Sequence, residues 1–288
     1  MSTLNFSRWL ALQAREALLY ELCATPKPGL VDRANNGSHR DMDFYTFLSS
    51  IQALSPYWER LANLGQEGVD LEPAALLERA RPLGLEAQEA MFKATGGVNT
   101  HKGALFALGL ASVAAGRLQA QGETLSPSSL GELMAAMSAG ICQKELESLS
   151  PQQVATMSHG ERMFLRHRAT GARGQAQSGY RLVVEGALPY LRSLEEEGLG
   201  PDEVHVRALL WLISQLEDTN ILARVGPQLA RQVRQQAQQL SENYSLAEAQ
   251  KLDRSFIALN ISPGGSADLL SLAIFLNRLC FSPLPGVD

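Results

Sequence analysis

Apolar residues along this chain recur with the spacing of helices. From Trp9 to Leu22 the apolar side chains fall on one helical face, which predicts a helix ending near Pro26. Alternating runs typical of strands are scarce, and residues 182–184 form a run too short to stand alone. We therefore predict an all-α multi-helix bundle, with residues 1–288 in a single domain. The same pattern predicts further helices over residues 44–64, 73–93, 104–120, 128–147, 176–197, 202–217, 226–240, 245–259 and 267–280.

Composition narrows the range of functions. Lys and Arg number 25 and Asp and Glu number 30, giving a net charge of −5, which disfavours non-specific nucleic-acid binding. The three cysteines, Cys23, Cys142 and Cys280, are odd in number and far apart, which is typical of a reducing compartment. We find no apolar run of the length of a signal sequence or a membrane span. We therefore expect a cytoplasmic protein with neither a membrane nor a nucleic-acid partner.

The breaks between predicted helices carry the candidate chemistry. Four of them, at 25–42, 95–103, 171–179 and 260–268, are rich in glycine, proline and polar residues, and a shorter one covers 217–226. We expect these glycine-rich loops to form the active site.

The first break combines a tight turn with ionisable groups. Pro28-Gly29 predicts a type II turn, because proline presets the first central residue and glycine accepts a positive φ at the second. Asp32, His39 and Asp41 add two carboxylates and an imidazole. The alternative is an ordinary surface loop with capping residues.

The break at 95–103 reads Thr-Gly-Gly-Val-Asn-Thr-His-Lys-Gly and leads into an apolar helix. Free N–H groups and the helix dipole make such an N-terminus an anion site. His101 and Lys102 fall in its first turn, where the dipole disfavours cations unless an anion lies against them. The alternative is a glycine turn beside a solvated lysine.

The last break, 260–268, has the same form. Ser266 is a natural N-cap for the following helix, and Asp268 is expected near its second helical position. The double glycine at Gly264 and Gly265 indicates that a ligand approaches the backbone closely.

Smaller features complete the candidates. Arg173 lies between glycines, where its planar fork suits phosphate. Asp218 and Asn220 follow a strongly apolar helix. His159, His167 and His205 lie on charged helical stretches, and we expect them to be solvated.

Taken in chain order, these segments resemble the triphosphoribosyl-dephospho-CoA synthase family. The resemblance runs from about residue 10 to residue 280. One departure follows Asn220, where Ile-Leu-Ala-Arg-Val-Gly stands in place of an arginine followed by paired glycines, and Arg224 is nearest to that arginine. The matching pieces are Thr-Pro-Lys-Pro-Gly-Leu-Val-Asp-Arg (25–33), Asn-x-Gly-x-His-x-Asp-Met (35–42), Gly-Val-Asn-Thr-His-Lys-Gly (97–103), Gly-Ala-Arg-Gly (171–174), Asp-Thr-Asn (218–220) and Leu-Asn-Ile-Ser-Pro-Gly-Gly-Ser-Ala-Asp-Leu-Leu (259–270).

The resemblance implies a transferase that joins ATP and 3′-dephospho-CoA, releases adenine and keeps the triphosphate. In that reaction the 2′-hydroxyl of the dephospho-CoA ribose attacks the anomeric carbon of the ATP ribose. The product is the precursor of the prosthetic group of the acyl carrier protein of citrate lyase or malonate decarboxylase. A phosphoribosyl-dephospho-CoA transferase acts downstream. The oligomeric state, including a homo-oligomer, is left open.

Loss of adenine passes through an oxocarbenium-like state, so carboxylates are needed near the sugar. We expect Asp32, Asp218 and Asp268 to be catalytic, with Asp32 the preferred base. Mg²⁺ is expected with ATP, held by Asp41 or Asp218 and by water. The residues expected to bind the substrates and their phosphates are Lys27, His39, Asn99, His101, Lys102, Arg173, Asn220, Ser262, Gly264, Gly265 and Ser266.

Two other classes of function remain open from the residues. The first is an all-α, metal-dependent hydrolase of phosphate or N-glycosidic bonds, which would act on ATP without an acceptor. The second is a helical scaffold in which the glycine turns are connectors, and it predicts no thermal stabilisation by Mg-ATP.

Overall fold

The computed structural model describes residues 5–149 and 157–282, and within these ranges it contains helices and no strand. The fold is all-α, as predicted. Within these ranges, two short π-helical segments, Gln143–Glu147 and Val183–Ala187, interrupt the α-helices. The α-helices are α1 (Phe6–Cys23), α2 (Phe44–Glu67), α3 (Pro73–Ala94), α4 (Lys102–Ala120), α5 (Pro127–Met137), α6 (His159–His167), α7 (Gly171–Gln177), α8 (Leu188–Glu196), α9 (Pro201–Gln215), α10 (Thr219–Glu242), α11 (Leu246–Ala258) and α12 (Gly264–Phe281).

Polar side chains at the helix starts explain several of these boundaries. Asp43 caps α2 by accepting the N–H of Thr46 at 2.8 Å, and the Thr46 hydroxyl bonds back to the cap residue. Ser126 and Ser129 form the same reciprocal arrangement at the start of α5. Such caps satisfy N–H groups that have no partner within their own helix.

Helices α4 and α12 lie at the centre of the bundle, and both are buried on most of their faces. Helix α4 packs against α2 at glycines: a Cβ on Gly65 would lie 2.1 Å from the Val113 carbonyl oxygen, and one on Gly116 would lie 2.0 Å from that of Ala62. By length and composition α4 could cross a membrane, but 72% of its apolar window is buried inside the bundle. Its apolar character is therefore accounted for by core packing.

Several predicted helices are shorter or divided. The prediction of one helix over 128–147 was wrong, because α5 ends at Met137 and Gly140 follows with φ of 72°. The helix predicted over 176–197 was also wrong, because Gly179 and Tyr180 take positive φ values before the second π-helical segment. Helix α7 occupies much of the break predicted at 171–179, and α10 begins at Thr219 and bends at Gly226. Residues with positive φ values cannot continue a right-handed helix, and they set these boundaries.

Candidate active site

A cavity of about 920 Å³ opens at the N-terminal ends of α4, α7 and α12. This volume lies in the upper part of the range for small-molecule sites. The breaks at 25–42, 95–103, 171–179 and 260–268 all contribute to its wall. The predicted site residues that line it are Lys27, His39, Asn99, His101, Lys102, Arg173, Asn220, Ser262, Gly264 and Asp268.

The turn near Pro28 binds the first break to the last one. Leu30 donates its N–H to the Lys27 carbonyl at 3.1 Å and Gly29 has φ of 72°, which confirms the predicted type II turn. A Cβ on Gly29 would lie 2.2 Å from the Ile261 carbonyl oxygen. The Ser38 hydroxyl donates to the same oxygen at 2.6 Å. Two segments remote in sequence therefore form one wall.

Asp32 holds this turn together and lies outside the cavity wall. Its carboxylate accepts the N–H groups of Lys27 at 2.9 Å, Ala34 at 2.7 Å and Asn35 at 3.0 Å. The side chain is almost fully buried. Its oxygens are therefore engaged in positioning Lys27, and the geometry gives it no access to a substrate in the cavity.

Lys27 reaches the cavity floor beside a carboxylate that the sequence did not single out. Its ammonium lies 2.5 Å from Glu21 Oε1, and the two side chains are 2% and 4% exposed. Glu21 belongs to the apolar face of α1, next to Leu22 and one turn from Leu18. An acidic residue inside that apolar stripe was the available signal, because a buried carboxylate requires a partner.

His101 stands at the start of α4 as a neutral donor. Thr100 donates its hydroxyl to Ser50 at 2.8 Å, and Ser50 in turn lies 2.7 Å from His101 Nδ1. Burial, reinforced by the charge of Lys27, lowers the pKa of His101 to about 3. With Ser50 donating to Nδ1, the ring proton is on Nε2, which has no hydrogen-bond partner among the described residues. This N–H is available to a ligand.

Asp268 occupies the N-terminus of α4, where the sequence predicted an anion site. Its Oδ1 accepts the N–H of Ala104 at 2.8 Å, and a Cβ on Gly103 would lie 1.9 Å from Oδ2. Asp268 is partly exposed to the cavity. Burial first, and then the nearby charge of Asp218, raise the pKa of Asp268 well above its ordinary value. The first hydrogen-bond acceptor at this helix end is thus the protein's own carboxyl group.

Asp218 joins the starts of α10 and α12. Its Oδ1 accepts the Asn220 N–H at 2.9 Å, and its Oδ2 accepts the N–H and hydroxyl of Ser266 at 2.8 and 3.0 Å. Burial raises the pKa of Asp218. Asp218 and Ser266 do not line the main cavity, and Gly265 lies on a neighbouring space of about 80 Å³.

The start of α12 differs from the sequence-based expectation. The helix begins at Gly264, so Ser266 was wrongly predicted as its N-cap, and Asp268 lies in the second turn. Ser266 is the third helical residue, and its side chain turns to Asp218 instead of capping its own helix. A carboxylate from α10 therefore performs the capping.

A third group of polar residues surrounds His39. Its Nε2 lies 2.9 Å from the Ser262 hydroxyl, and burial with the charge of Arg224 lowers its pKa, with Asp41 opposing. Arg224 donates to the Asn260 side chain at 2.9 Å and lines the cavity. The arginine at the point of departure from the family pattern is thus part of the site.

Arg173 lies on the opposite wall in a network of charges. Its Nε is 2.7 Å from Glu145 Oε2, and its Nη2 is 3.5 Å from Glu161 Oε1. Arg81 pairs with the other oxygen of Glu145. These partners were not predicted, because Glu145 lies on the first π-helical segment, where a regular helix was expected.

Two of the histidines that we expected to be solvated lie in different surroundings. His159 lines the cavity, with Nε2 at 3.3 Å from the Thr219 carbonyl oxygen. His205 is 7% exposed and packs edge-on against Tyr20, so the expectation that it is solvated was wrong. Its charged sequence neighbours concealed an apolar helical face.

Neither of the two predicted magnesium ligands lines the cavity. Asp218 has both oxygens engaged by N–H and hydroxyl donors, and the Asp41 side chain is 65% exposed, outside the cavity wall. Across residues 5–149 and 157–282, no group of three or more His, Cys, Asp or Glu side chains is arranged to hold a metal ion. These residues therefore do not fit the metal site expected from the sequence.

Some charged side chains of the cavity pair with each other, and the other cations on its wall can bind a ligand. Glu21 balances Lys27, and two glutamates on the opposite wall balance Arg173 and Arg81. Lys102 and Arg224 lie on the wall beyond these pairs, beside the uncharged donor His101. Fold and cavity together define an all-α enzyme with a polar, cation-bearing cleft.

Comparison with known proteins identifies the family. The model of the CitG family, described as ATP:dephospho-CoA triphosphoribosyl transferase, matches residues 7–282. A 2-(5″-triphosphoribosyl)-3′-dephosphocoenzyme-A synthase of Pectobacterium atrosepticum is 44% identical over 261 residues, covering 90% of this chain and 85% of that protein. Proteins of Citrobacter koseri and Albidiferax ferrireducens, named probable synthases of the same kind, are 38% and 41% identical and cover 93% and 92% of this chain and 90% and 89% of their own lengths.

The chain belongs to the ATP:dephospho-CoA triphosphoribosyl transferase family. It is an enzyme of the transferase class, and the family resemblance predicted from its motifs is confirmed. The helical-scaffold alternative was wrong.

Proposed function

We propose that this enzyme joins ATP and 3′-dephospho-CoA to form 2′-(5″-triphosphoribosyl)-3′-dephospho-CoA, with release of adenine. The observation that carries the proposal is the convergence of the family's glycine-rich segments on one cleft. This cleft holds a carboxyl group and two cations, Lys102 and Arg224, that form no ion pair with the residues that the structure describes. The names of the relatives support the same reaction. A volume of about 920 Å³ suits two elongated substrates side by side.

Among the three predicted catalytic aspartates, we assign the base to Asp268. The carboxylate oxygens of Asp32 and Asp218 accept hydrogen bonds from N–H and hydroxyl donors. In contrast, Asp268 faces the cavity, and its Oδ1 accepts one backbone N–H. A carboxyl group whose pKa is raised is a stronger base once ionised, and base strength near the working pH favours proton transfer.

In the proposed step, the 2′-oxygen of dephospho-CoA forms a bond to C1′ of the ATP ribose while the C1′–N9 bond breaks. The bonding electron pair leaves with adenine. The proton of the 2′-hydroxyl passes to the Asp268 carboxylate and ends on the released adenine.

The cations of the cleft would bind the phosphates. Lys102 and Arg224 supply charge, and the neutral His101 supplies an N–H that has no other acceptor among the residues described here. Arg173 adds a planar fork at the far wall, where Glu145 and Glu161 hold it in place. Mg²⁺ would enter with ATP, liganded by phosphate oxygens and water, since the predicted protein ligands do not form a site.

The direct test is product analysis by mass spectrometry. We expect ATP and 3′-dephospho-CoA to yield a species heavier than dephospho-CoA by one triphosphoribosyl unit, with adenine in equal amount. Asp268→Asn should lower kcat by about 10²- to 10⁴-fold, because the amide keeps an acceptor for the Ala104 N–H but takes no proton. Asp70→Asn, at an exposed position beyond α2, is the matched control and should keep full activity.

Turnover of ATP without dephospho-CoA would support the hydrolase alternative and overturn the proposal. Full activity of Asp268→Asn would instead refute only the assignment of the base.

Downstream, we propose that a phosphoribosyl-dephospho-CoA transferase passes the product to an acyl carrier protein of citrate lyase or malonate decarboxylase. We also propose that these steps take place in the cytoplasm.

A further inference from the structure

The cavity continues away from its polar end as a trough between two helix faces. On α3 the lining residues recur at the helical spacing, with Leu77, Ala80 and Gly84 on one face. On α4, Gly109 and Val113 continue the face that starts at Lys102. Because the short break at 95–101 joins the two helices, they run antiparallel as neighbours and form the two sides of the trough.

This trough is mostly apolar, although Arg81, paired with Glu145, and Gln88 also lie on its α3 side, and the protein does not fill it. Leu85 lines it and is 58% exposed, so its side chain adds apolar surface beside the open space. A Cβ placed on Gly84 would meet no atom within 4 Å, so open space lies over the centre of the α3 face. On the α4 side, a Cβ on Gly109 would make ordinary contact with Leu61 at 3.6 Å. Core packing does not account for an apolar surface left open beside a charged site.

The dimensions restrict what can lie there. From Lys102 to Val113 the α4 face rises about 16 Å, at 1.5 Å for each residue. One end meets the cations and the His101 N–H, and the other end is bounded by Leu61, Leu77 and Ile141. An occupant must therefore be long, narrow and largely uncharged, with its phosphate end at the helix starts.

We propose that this trough binds the pantetheine arm of the acceptor substrate, an inference that rests on the proposed function. The arm is an uncharged chain with about as many backbone bonds as four extended residues, or about 14 Å. It ends in a diphosphate, which would lie at Lys102 and Arg224. A purine is compact and would leave most of the trough empty, which is why the arm is the better occupant.

Placing the arm in the trough also orients the reaction. The diphosphate would lie at the junction between the trough and the polar end, so the acceptor ribose would extend toward Asp268. Contacts along an unreacting arm can hold a hydroxyl group in position for attack. The trough is thus a specificity subsite for acceptors that carry the arm.

The test compares two acceptors, one with the arm and one without it. ADP has the adenosine diphosphate part of 3′-dephospho-CoA but no pantetheine. We expect the wild-type enzyme to favour 3′-dephospho-CoA over ADP by about 10²-fold or more in kcat/KM. Gly84→Leu should reduce this preference at least about tenfold by filling the trough. Its kcat/KM for ADP and its KM for ATP should stay within about twofold of wild type.

Glu89→Leu is the matched control, because it places the same side chain at an exposed position of α3 outside the cavity wall, and it should keep the wild-type preference. Leucine is a better helix former than glycine, so Gly84→Leu should fold and unfold at or above the wild-type temperature. Equilibrium binding of 3′-dephospho-CoA and ADP, measured by calorimetry, gives the same comparison without turnover.

The possible outcomes separate the trough proposal from the proposed function. An unchanged preference in Gly84→Leu, in both kinetics and binding, would overturn the proposal while leaving the reaction intact. A rise in the KM for ATP instead of the acceptor would assign the trough to the purine of ATP and also overturn it. Absence of product from the wild-type enzyme would refute the proposed function, and the binding comparison would then decide the subsite by itself.

Discussion

At the scale of single residues, the buried pair of Lys27 and Glu21 links stability to binding. Glu21 accepts one hydrogen bond from an ammonium that has three donors, which leaves donors for a phosphate oxygen. Burying two charges is costly unless they remain paired. The pair is therefore a fixed part of the cavity floor that also presents N–H donors to a ligand.

Lys27→Met should destabilise the protein by about 3–5 kcal/mol, because it leaves the carboxylate of Glu21 buried without a partner. The double variant Lys27→Met/Glu21→Gln should recover much of that loss, since no net charge stays buried. Urea unfolding of the two single variants and the double variant measures both effects. Strictly additive losses would contradict the coupling.

The sequence indicated Lys27 and His101 through their unusual neighbours, prolines in one case and glycines in the other. Glu21 was missed although it stands in the apolar face of α1, because its partner Lys27 lies in the loop that follows the helix. Arg224 was visible as the nearest arginine to the family position, but its partner Asn260 became apparent from the fold alone. Local patterns reveal turns, whereas ion pairs depend on tertiary contacts.

At the scale of elements, two carboxylates set the relation between three helix starts. Asp268 of α12 caps α4, and Asp218 at the start of α10 caps α12. The first contact joins residues 164 apart in the chain, and the second joins residues 48 apart. No local capping rule could therefore have predicted where these helix ends find their acceptors.

Gly103→Ala should separate α4 from α12. The added Cβ would lie 1.9 Å from Asp268 Oδ2, and overpacking of this kind costs about 1–3 kcal/mol. Displacement of the proposed base should lower activity as well. Thermal unfolding and the rate of adenine release are the measurements.

Gly84→Ala serves as the comparison for that variant, because it places the same methyl group in open space on another helix. It should be neutral or slightly stabilising, by up to about 1 kcal/mol. Equal losses in the two variants would mean that the contact between Gly103 and Asp268 is not tight.

At the scale of the whole molecule, the distribution of charge matters more than its total. The protein carries a net charge of −5, yet the cleft gathers Lys102 and Arg224 beyond its internal ion pairs. Cations gathered in one cleft of a protein that is acidic overall attract anions to that cleft. The all-α class followed from the periodicity of the sequence, but this separation of charge could be seen only once the loops converged.

Mg-ATP should therefore stabilise the protein. At about a hundred times its dissociation constant the gain is about 2.7 kcal/mol, seen as a rise in the unfolding temperature. Lys102→Ala should weaken binding about tenfold and remove about 1.4 kcal/mol of that gain at the same ATP concentration. Lys144→Ala, on an exposed side chain paired with Glu78, is the control and should retain the full rise. A full rise in Lys102→Ala would show that Lys102 does not bind the phosphates of ATP.

The stability of the whole fold depends on pH through its buried ionisable groups. Burial, reinforced by the charge of Lys27 and opposed by Asp202, lowers the pKa of His205 to about 4. Because the unfolded chain has the ordinary value of 6.5, it binds more protons than the folded one between these two pH values. The free energy of unfolding contributed by His205 therefore falls as the pH falls through that window.

His101 acts in the same direction, whereas the buried carboxyl groups of Asp218, Asp253 and Asp268, with raised pKa values, act against it. A single-site variant separates these contributions. His205→Gln should reduce the slope of unfolding free energy against pH by up to about 1.4 kcal/mol per pH unit between pH 4 and 6.5. Urea unfolding across this range measures the slope, and a variant with the wild-type slope would show that His205 takes up its proton without unfolding. Because the slope is compared and not the absolute stability, any packing loss against Tyr20 does not affect the result.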